Sequence, residues 1–191
     1  LGAEPERVDG APAGWLAVLD DVTDRRRLES QLAHRATHDP LTDLPNRALL
    51  EDRLRQACAR LGRDDERVAV LFCDLDDFKD VNDRFDHTVG DQVLVEVGRR
   101  LRRVLRPADT VARFGGDEFV VVCERTDPTE AEEVAERIRA ALGEPFAGAD
   151  GRGLGVSVGI ACARGADVDA GDLLLRADQA MYRVKDGGGA G

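Results

Sequence analysis

The feature that most constrains this chain is a Gly-Gly-Asp-Glu sequence at residues 115–118, which lies between two apolar runs. Residues 111–114 and 119–123 are rich in β-branched and aromatic side chains, which favour strands. Two glycines between such runs are typical of a tight β-hairpin turn. The sequence therefore predicts a hairpin with Asp117 and Glu118 at its tip. Gly115 and Gly116 lack side chains, so the phosphates of a ligand could approach the backbone closely. Taken alone, the pattern also fits an ordinary solvent-exposed turn.

A second group of carboxylates follows the most apolar run of the chain. Residues 67–73 predict a buried strand, and Asp74-Leu75-Asp76-Asp77 comes directly after it. A strand that ends in carboxylates carries them to the rim of a sheet, and carboxylate oxygens together with substrate phosphates suit Mg²⁺. Side chains alternate along a strand, so only one of Asp117 and Glu118 can easily face Asp74.

Further short motifs occur in a fixed order along the chain. Asp39-Pro40-Leu41-Thr42 and Leu44-Pro45-Asn46-Arg47 come before the apolar strand; Phe78-Lys79, Asn82-Asp83, His87, Gly90-Asp91, Ala177-Asp178, Met181-Tyr182 and Lys185 come after it. Together with the Gly-Gly-Asp-Glu-Phe turn, this series resembles the GGDEF-domain diguanylate cyclases, which are bacterial signalling enzymes, over residues 38–185.

The resemblance implies an α+β fold, with a central, mostly antiparallel sheet of about five strands surrounded by helices, similar to the palm of nucleotidyl cyclases. Hydrophobic periodicity predicts helices from the N-cap Asn46 to about Leu61 and over residues 77–81, 91–105, 129–142 and 169–185, and a strand over residues 156–162. Without the resemblance, Asp91 is simply an acid in the first turn of its helix, where the helix dipole favours it.

The activity that the resemblance implies is condensation of two GTP into cyclic di-GMP with release of pyrophosphate. Two Mg²⁺ ions per site, with Mn²⁺ as an alternative, are expected on Asp74, the carbonyl of Leu75, Asp117 and Glu118. The expected catalytic residues are Asp117, Glu118 and Lys79, with Glu118 either a ligand of the second metal or a base. The expected substrate-binding residues are Phe78, Lys79, Asn82, Asp91, Gly115, Gly116 and Lys185.

Guanine selection is expected at Asn82 and Asp91, because a carboxylate can accept the two adjacent donors on the Watson-Crick edge of guanine.

One domain supplies one GTP and the product has two-fold symmetry, so the resemblance implies a homodimer.

An inhibitory product site is expected at Arg106 and Asp109, an Arg-x-x-Asp at the family's usual offset from the glycine turn. Arg137, in preference to Arg139, is expected to complete it.

The chain departs from the family four residues after Lys185, where Gly189 replaces an arginine that holds the triphosphate. This predicts a weaker triphosphate clamp or reflects a flexible chain end, and the sequence leaves both open.

Composition excludes several other classes of protein. The net charge of the 191-residue chain is -11, which argues against a nucleic-acid binder. The apolar runs are too short for a transmembrane helix. Four widely spaced cysteines, Cys58, Cys73, Cys123 and Cys162, show no metal-ligand pattern and predict reduced thiols in a cytoplasmic protein.

The sequence predicts four segments. Residues 1–20, with a short strand at 14–19, resemble the end of a PAS-like sensor domain, so the chain is expected to begin inside a longer protein; a disordered tail is the alternative. Residues 21–37 predict a linker helix with Leu28 and Leu32 one turn apart. Residues 38–186 form the catalytic domain, and residues 187–191 a glycine-rich tail.

Two other functions compete with the cyclase. The domain could bind GTP or cyclic di-GMP without turnover and regulate a neighbouring domain, an alternative that Gly189 favours and that Asp74, Lys79 and Asp117 oppose. It could also be a dimeric relay between a sensor and a partner domain.

Overall fold

The computed structural model describes residues 7–8, 11–12, 23–61, 66–85, 87–146 and 151–188, and the chain divides into two compact units, Leu1–His34 and Arg35–Gly191. In the first unit, β1 (Arg7–Val8) pairs antiparallel with β2 (Ala11–Pro12). Helix α1 spans Thr23–Thr37, within the segment predicted at 21–37. The strand predicted at 14–19 lies outside the described residues, so the sensor and linker assignments stay predictions.

The second unit contains one sheet and five helices in its described part. Its elements are α2 (Arg47–Arg60), β3 (Arg67–Leu75), α3 (Phe78–Phe85), α4 (His87–Val104), β4 (Thr110–Gly115), β5 (Glu118–Glu124), α5 (Pro128–Gly143), β6 (Val156–Arg164) and α6 (Ala170–Gly188). The strand order is β4-β5-β3-β6, and each neighbouring pair is antiparallel. The α+β fold is confirmed.

The expected number of about five strands is wrong for the described part of the chain, where this sheet has four. Each of the four apolar runs predicted as strands in this unit forms a strand, and the chain enters α6 after β6.

The central strand β3 is buried on both faces, which explains why its sequence is continuously apolar. Ala69, Leu71, Cys73 and Leu75 pack against α3, α4 and α5 on one face. Val68, Val70 and Phe72 pack against α2 and α6 on the other. Asp74 follows Phe72 by two residues, and strand alternation therefore assigns it to the α2 and α6 face.

Helix boundaries follow local signals in two cases. Asn46 caps α2 and accepts a hydrogen bond from the Leu49 backbone N–H, as predicted. Asp127 and Glu130 form a capping box at the start of α5.

The predicted start of α4 at Asp91 is wrong, because the helix already begins at His87 and has no acid in its first turn. Gly90 therefore lies inside α4 and not in a loop before it. A Cβ atom on Gly90 would lie 2.0 Å from Oδ1 of Asn82, so glycine is required by the close packing of α3 against α4.

A second close approach positions α6. A Cβ atom on Gly159 of β6 would lie 1.9 Å from the backbone nitrogen of Met181 and 2.3 Å from the carbonyl oxygen of Ala177. The missing side chain therefore lets α6 rest directly on the sheet. No helix in the described ranges is both long and apolar enough to cross a bilayer.

Candidate active site

The register of β3 and β5 brings acids from two distant parts of the sequence together. Asp74 lies directly opposite Glu118 in the antiparallel pair. Directly opposite side chains point to the same face of a sheet, so Glu118 is the hairpin acid that faces Asp74. Asp117 lies in the turn, where its carbonyl accepts a 3.3 Å hydrogen bond from the backbone N–H of Leu75. The backbone of the turn is thus fixed to the end of β3.

The predicted hairpin is confirmed, and it contains an irregularity. The pairing of β4 with β5 shifts register between Arg113 and Gly115. Gly116 adopts φ +44°, a conformation that favours glycine, and no atom lies within 4 Å of where its Cβ would be. The turn thus offers bare backbone beside open space, which is compatible with close approach of a ligand.

Lys185 of α6 reaches this acidic rim. Its Nζ donates to Oδ1 of Asp74 at 2.5 Å, and the Asp74 carboxylate is buried. This hydrogen bond raises the pKa of Lys185, and the charges of Asp74, Asp117 and Asp76 also raise it, although burial acts in the opposite direction. The Lys185 ammonium is therefore hydrogen-bonded to Asp74 and lies in the electrostatic field of the other acids.

Glu118 has an unusual electrostatic environment. Burial raises its pKa above the ordinary value, the negative charges of Asp74, Asp117 and Asp178 raise it further, and Lys185 lowers it. Asp178, on α6, was part of a sequence motif but was not predicted to act at the site. Its role in the site depends on the packing of α6 on the sheet, which no local sequence pattern reveals.

The donor chemistry of this rim fits a magnesium ion in part. Its carboxylate oxygens are hard ligands of the kind that Mg²⁺ prefers. The positively charged Lys185 ammonium is already bound to one of them, Oδ1 of Asp74. Across the described ranges, no three or more His, Cys, Asp or Glu side chains are grouped closely enough to hold a metal ion. Magnesium usually takes only one or two carboxylates and completes its shell with water and phosphate, so the acids present are compatible with it.

The loop after β3 is held by contacts that sequence reasoning missed. The hydroxyl of Ser157 donates to Oδ1 of Asp76 at 2.7 Å, and the backbone N–H of Asp76 donates to the Gly155 carbonyl at 3.0 Å. Asp77 follows at φ +55°. The start of β6 therefore fixes the path that leads from Asp74 to α3. Ser157 lies opposite Asp74 in the register, but only the pairing of β3 with β6 could have revealed this.

The residues expected to bind guanine lie on the other side of the sheet, at the junction of α3 and α4. The space beside the Gly90 Cα is filled by the Asn82 amide, with the Phe78 ring nearby, and Asp91 is the next residue. Phe78 is buried, whereas Lys79 and Asp91 are exposed. Lys79 makes no hydrogen bond or ion pair with the acids of the rim in the described part of the chain.

Two residues of the expected inhibitory site, Arg106 and Asp109, are joined by hydrogen bonds. The backbone N–H of Arg106 donates to Oδ2 of Asp109 at 3.0 Å, and the backbone N–H of Asp109 donates to the Arg106 carbonyl at 3.0 Å. Burial raises the pKa of the Cys123 thiol, and Asp109 raises it further, whereas Arg106 and Arg137 act in the opposite direction. The charges of all three residues thus act on one buried thiol.

Arg139, the arginine not preferred for the inhibitory site, is engaged by acids. Arg139 donates to Glu136 at 2.5 Å and to Glu132 at 3.3 Å, on its own helix. Beside Arg106 and Asp109, a cavity of about 340 Å³ is also lined by Arg53 and Arg102. The site is therefore open and positively charged on this side.

Arg113 joins the hairpin turn to the start of the second unit, a role that the sequence does not predict. Its guanidinium donates to the Gly116 carbonyl at 2.8 and 3.0 Å and to Asp39 at 3.1 and 3.3 Å. Thr42 donates to Asp39 through its backbone and its hydroxyl, each at 2.8 Å. Because the two partners lie on distant segments, no local pattern could have predicted this link.

Known proteins resemble this chain in sequence and in fold. Residues 36–190 match the family described as "Diguanylate cyclase, GGDEF domain". The chain is 44% identical over 168 residues to the bifunctional diguanylate cyclase/cyclic di-GMP phosphodiesterase MucR of Pseudomonas aeruginosa, a match that covers 87% of this chain and 24% of MucR. It is 42% identical over 177 residues to the diguanylate cyclase TpbB of the same organism, with 88% of this chain and 40% of TpbB covered. The chain thus spans less than half the length of these curated relatives.

A solved structure is similar as well. The coiled coil and GGDEF domain of DgcB from Caulobacter crescentus, in complex with c-di-GMP, superimposes with a TM-score of 0.79 at 30% identity, and the match covers 88% of this chain and 90% of that chain.

Proposed function

Because the chain belongs to the GGDEF family of diguanylate cyclase domains, we propose that it condenses two GTP molecules into cyclic di-GMP. In each half of the reaction, the 3′-oxygen of one GTP forms a bond to the α-phosphorus of the other. The bond from that phosphorus to the β-phosphate bridging oxygen breaks, pyrophosphate leaves, and the hydroxyl proton passes to a base. The observation that carries the proposal is the register that sets Glu118 opposite Asp74 with Lys185 between α6 and the sheet.

The acids of the rim would hold the metal ions. We assign Mg²⁺, two per site, with Mn²⁺ as an alternative, to Asp74, the Leu75 carbonyl, Asp117 and Glu118. When bound, the metal would supply charge neutralisation at the phosphates and would lower the pKa of the ribose 3′-hydroxyl. The chain itself contributes a rim whose backbone is already fixed, through the bond between Leu75 and Asp117.

Lysines and glycines would hold the triphosphate. Lys185 and Lys79 supply positive charge, and Gly115 and Gly116 supply backbone without side chains. In this assignment Lys79 acts on the leaving phosphates, and Glu118 is a second metal ligand or the base. Lys79 is exposed, so its side chain is free to contact the phosphates once the nucleotide binds.

Guanine would be recognised by Asn82 and Asp91, with Phe78 beside them. The Asp91 carboxylate can accept from N1–H and the exocyclic amine of guanine, and adenine lacks that pair of donors. A polar group that the bound base covers and leaves unpaired costs about 1–3 kcal/mol. The fixed position of Asn82 against Gly90 supports such a site, because selectivity requires groups that do not relax toward the wrong base.

The reaction requires two copies of the domain, since each supplies one GTP to a product with two-fold symmetry. We therefore propose a homodimer in which two rims face each other. Cyclic di-GMP would also bind at Arg106, Asp109 and Arg137 and inhibit the enzyme; the hydrogen bonds between Arg106 and Asp109, and the charges of all three residues at Cys123, support this assignment.

The proposal is tested by incubating the protein with GTP and Mg²⁺ and separating the products by chromatography. Formation of cyclic di-GMP and two equivalents of pyrophosphate is expected, and specific activity should fall on dilution as the dimer dissociates. Absence of product at all protein concentrations would contradict the cyclase function.

A second function is supported by one sequence feature. Gly189 replaces the arginine expected to assist Lys185, and a weakened triphosphate clamp would favour a domain that binds nucleotide and regulates a neighbour. In that case the same incubation would yield bound nucleotide that remains unconverted.

A further inference from the structure

The ion pair between Lys185 and Asp74 occupies the carboxylate on which the proposed metal site depends. Nζ of Lys185 lies 2.5 Å from Oδ1 of Asp74. The Asp74 side chain is 10% exposed, whereas the Lys185 side chain is 44% exposed. A cation that approaches Asp74 from solvent therefore meets the lysine first, because most of the carboxylate surface is already covered by protein.

The rest of the rim makes this lysine important for charge balance. Asp76, Asp117, Glu118 and Asp178 belong to the same group of acids, as described above. Among the described residues, Lys185 is the one cationic side chain that bonds to Asp74. A buried carboxylate without a counter-ion is costly, so the Lys185 ammonium stabilises Asp74 whenever the nucleotide and its metal are absent.

The lysine can leave without disturbing the fold. Its helix is anchored several residues earlier, where Ala177 and Met181 rest on Gly159 of β6. Beyond that anchor the side chain is long and half-exposed. Its ammonium can therefore move from the carboxylate to a triphosphate while α6 stays in place.

We propose that Lys185 is a built-in counter-ion that competes with the metal ion for Asp74, so that metal and nucleotide bind together and the metal does not bind first. The inference rests on the proposed metal site. Without nucleotide, a divalent cation must displace the ammonium and leave it next to the bound metal. With nucleotide, the triphosphate takes the ammonium and frees Asp74. The two ligands thus assist each other's binding through one side chain.

The test measures binding of Mn²⁺ alone to the full chain, without nucleotide, by the loss of the electron paramagnetic resonance signal of free Mn²⁺. We expect K185M to bind one Mn²⁺ about tenfold more tightly than the wild type, within the range typical of coupled sites. R183M removes the same charge from an exposed position of the same helix and should bind Mn²⁺ like the wild type. The double variant K185M/D74N should lose the gain.

Two results would overturn the inference. The first is equal Mn²⁺ affinity in K185M and the wild type, and the second is a gain that survives removal of the Asp74 charge. Circular dichroism verifies folding, and K185Q replaces K185M if the latter does not fold. As a second measurement, a non-reactive GTP analogue should tighten Mn²⁺ binding to the wild type by a larger factor than in K185M; an equal factor in both proteins also counts against the inference.

These outcomes are separable from failure of the proposed function. Product formation from GTP by the wild type tests the cyclase assignment by itself. If the wild type makes cyclic di-GMP while K185M gains no affinity for Mn²⁺, only the competition is wrong. If no product forms but the Asp74-dependent gain is present, the competition holds and the cyclase function does not.

Discussion

Arg113 donates to both carboxylate oxygens of Asp39, at 3.1 and 3.3 Å. The same guanidinium holds the Gly116 carbonyl at the hairpin tip. Both side chains of the pair are largely buried, with 14% and 18% of their surfaces exposed. The segment that follows α1 is thus tied directly to the turn that carries Asp117, so displacement of one end is felt at the other.

Loss of this link should damage both stability and activity. We expect R113A to lower the free energy of unfolding by about 3 kcal/mol, because it leaves the largely buried Asp39 carboxylate without its cationic partner. R113K should lose activity too, since an ammonium cannot serve both partners in the same geometry. Urea denaturation and product formation measure these effects. R55Q, which removes a largely exposed arginine of α2, is the control, and an R113A protein as stable as R55Q would contradict the prediction.

The same pair predicts a dependence of stability on pH. Burial would raise the pKa of Asp39, but hydrogen bonds from Thr42 and Arg113 outweigh it and hold that pKa below its ordinary value of 3.8. A lowered pKa in the folded state means that the stabilisation is fully present above the unfolded-state pKa and is lost as the pH falls through the folded-state pKa. The stability difference between wild type and D39N should therefore be constant from about pH 5 to 7 and shrink below about pH 4. Urea denaturation across this range measures it, and a difference that grows on acidification would be inconsistent with this sign.

Gly159 should be intolerant of any side chain. Its Cβ would lie 1.9 Å from the backbone of Met181, and backbone cannot move aside cheaply. We expect G159A to cost about 1–3 kcal/mol through overpacking and to lower activity by shifting Lys185. The matched control is G187A on α6 itself, where no atom lies within 4 Å of the added carbon. Thermal unfolding of the two variants provides the comparison, and equal melting temperatures would show that α6 can move away at little cost.

Asp117 should be required for turnover but not for the fold. It lies in a turn and is partly exposed, so D117A removes little packing. If it binds metal as proposed, D117A should reduce the rate of cyclic di-GMP formation by about 100-fold or more. E133A, an exposed acid of α5, should retain full activity. A D117A protein that turns over at the wild-type rate would remove this residue from the mechanism.

Arg106 and Arg137 should govern inhibition by product. We expect R106A and R137A to raise the concentration of cyclic di-GMP needed for half-inhibition by about tenfold or more, the effect of losing a charged hydrogen bond. R139A should leave it unchanged, because Arg139 is engaged by Glu132 and Glu136. Initial rates at increasing product concentrations measure the effect, and equal inhibition of all four proteins would refute the assigned site.

Elements encoded by local patterns were predictable from the sequence. The cap at Asn46, the hairpin around Gly116 and the strand before Asp74 each depend on residues close in the chain. Periodicity also identified all four strands of the sheet. A fifth strand is not present in this sheet among the described residues.

The candidate site was only partly predictable, because its contacts join distant segments. Alternation showed that one hairpin acid would face Asp74, but only the register of β3 with β5 identifies Glu118. The bond from Lys185 to Asp74 requires α6 to rest on Gly159, and Gly90 seemed to precede a helix that in fact contains it. In each case a tertiary contact decided the outcome.

The burial of β3 on both faces has a consequence for how the proposed substrate would lie. Asp74, Glu118 and Lys185 belong to the face covered by α2 and α6, whereas α3 and α4, which carry Asn82 and Asp91, pack on the opposite face. A GTP molecule that reaches both groups would have to span the end of the sheet, where the chain passes from β3 into α3. In the proposed site, guanine recognition would thus lie with the helices on one face of the sheet and phosphate chemistry on the other face. Substitutions in α3 and α4 would then change the nucleotide preference and leave the reaction centre intact.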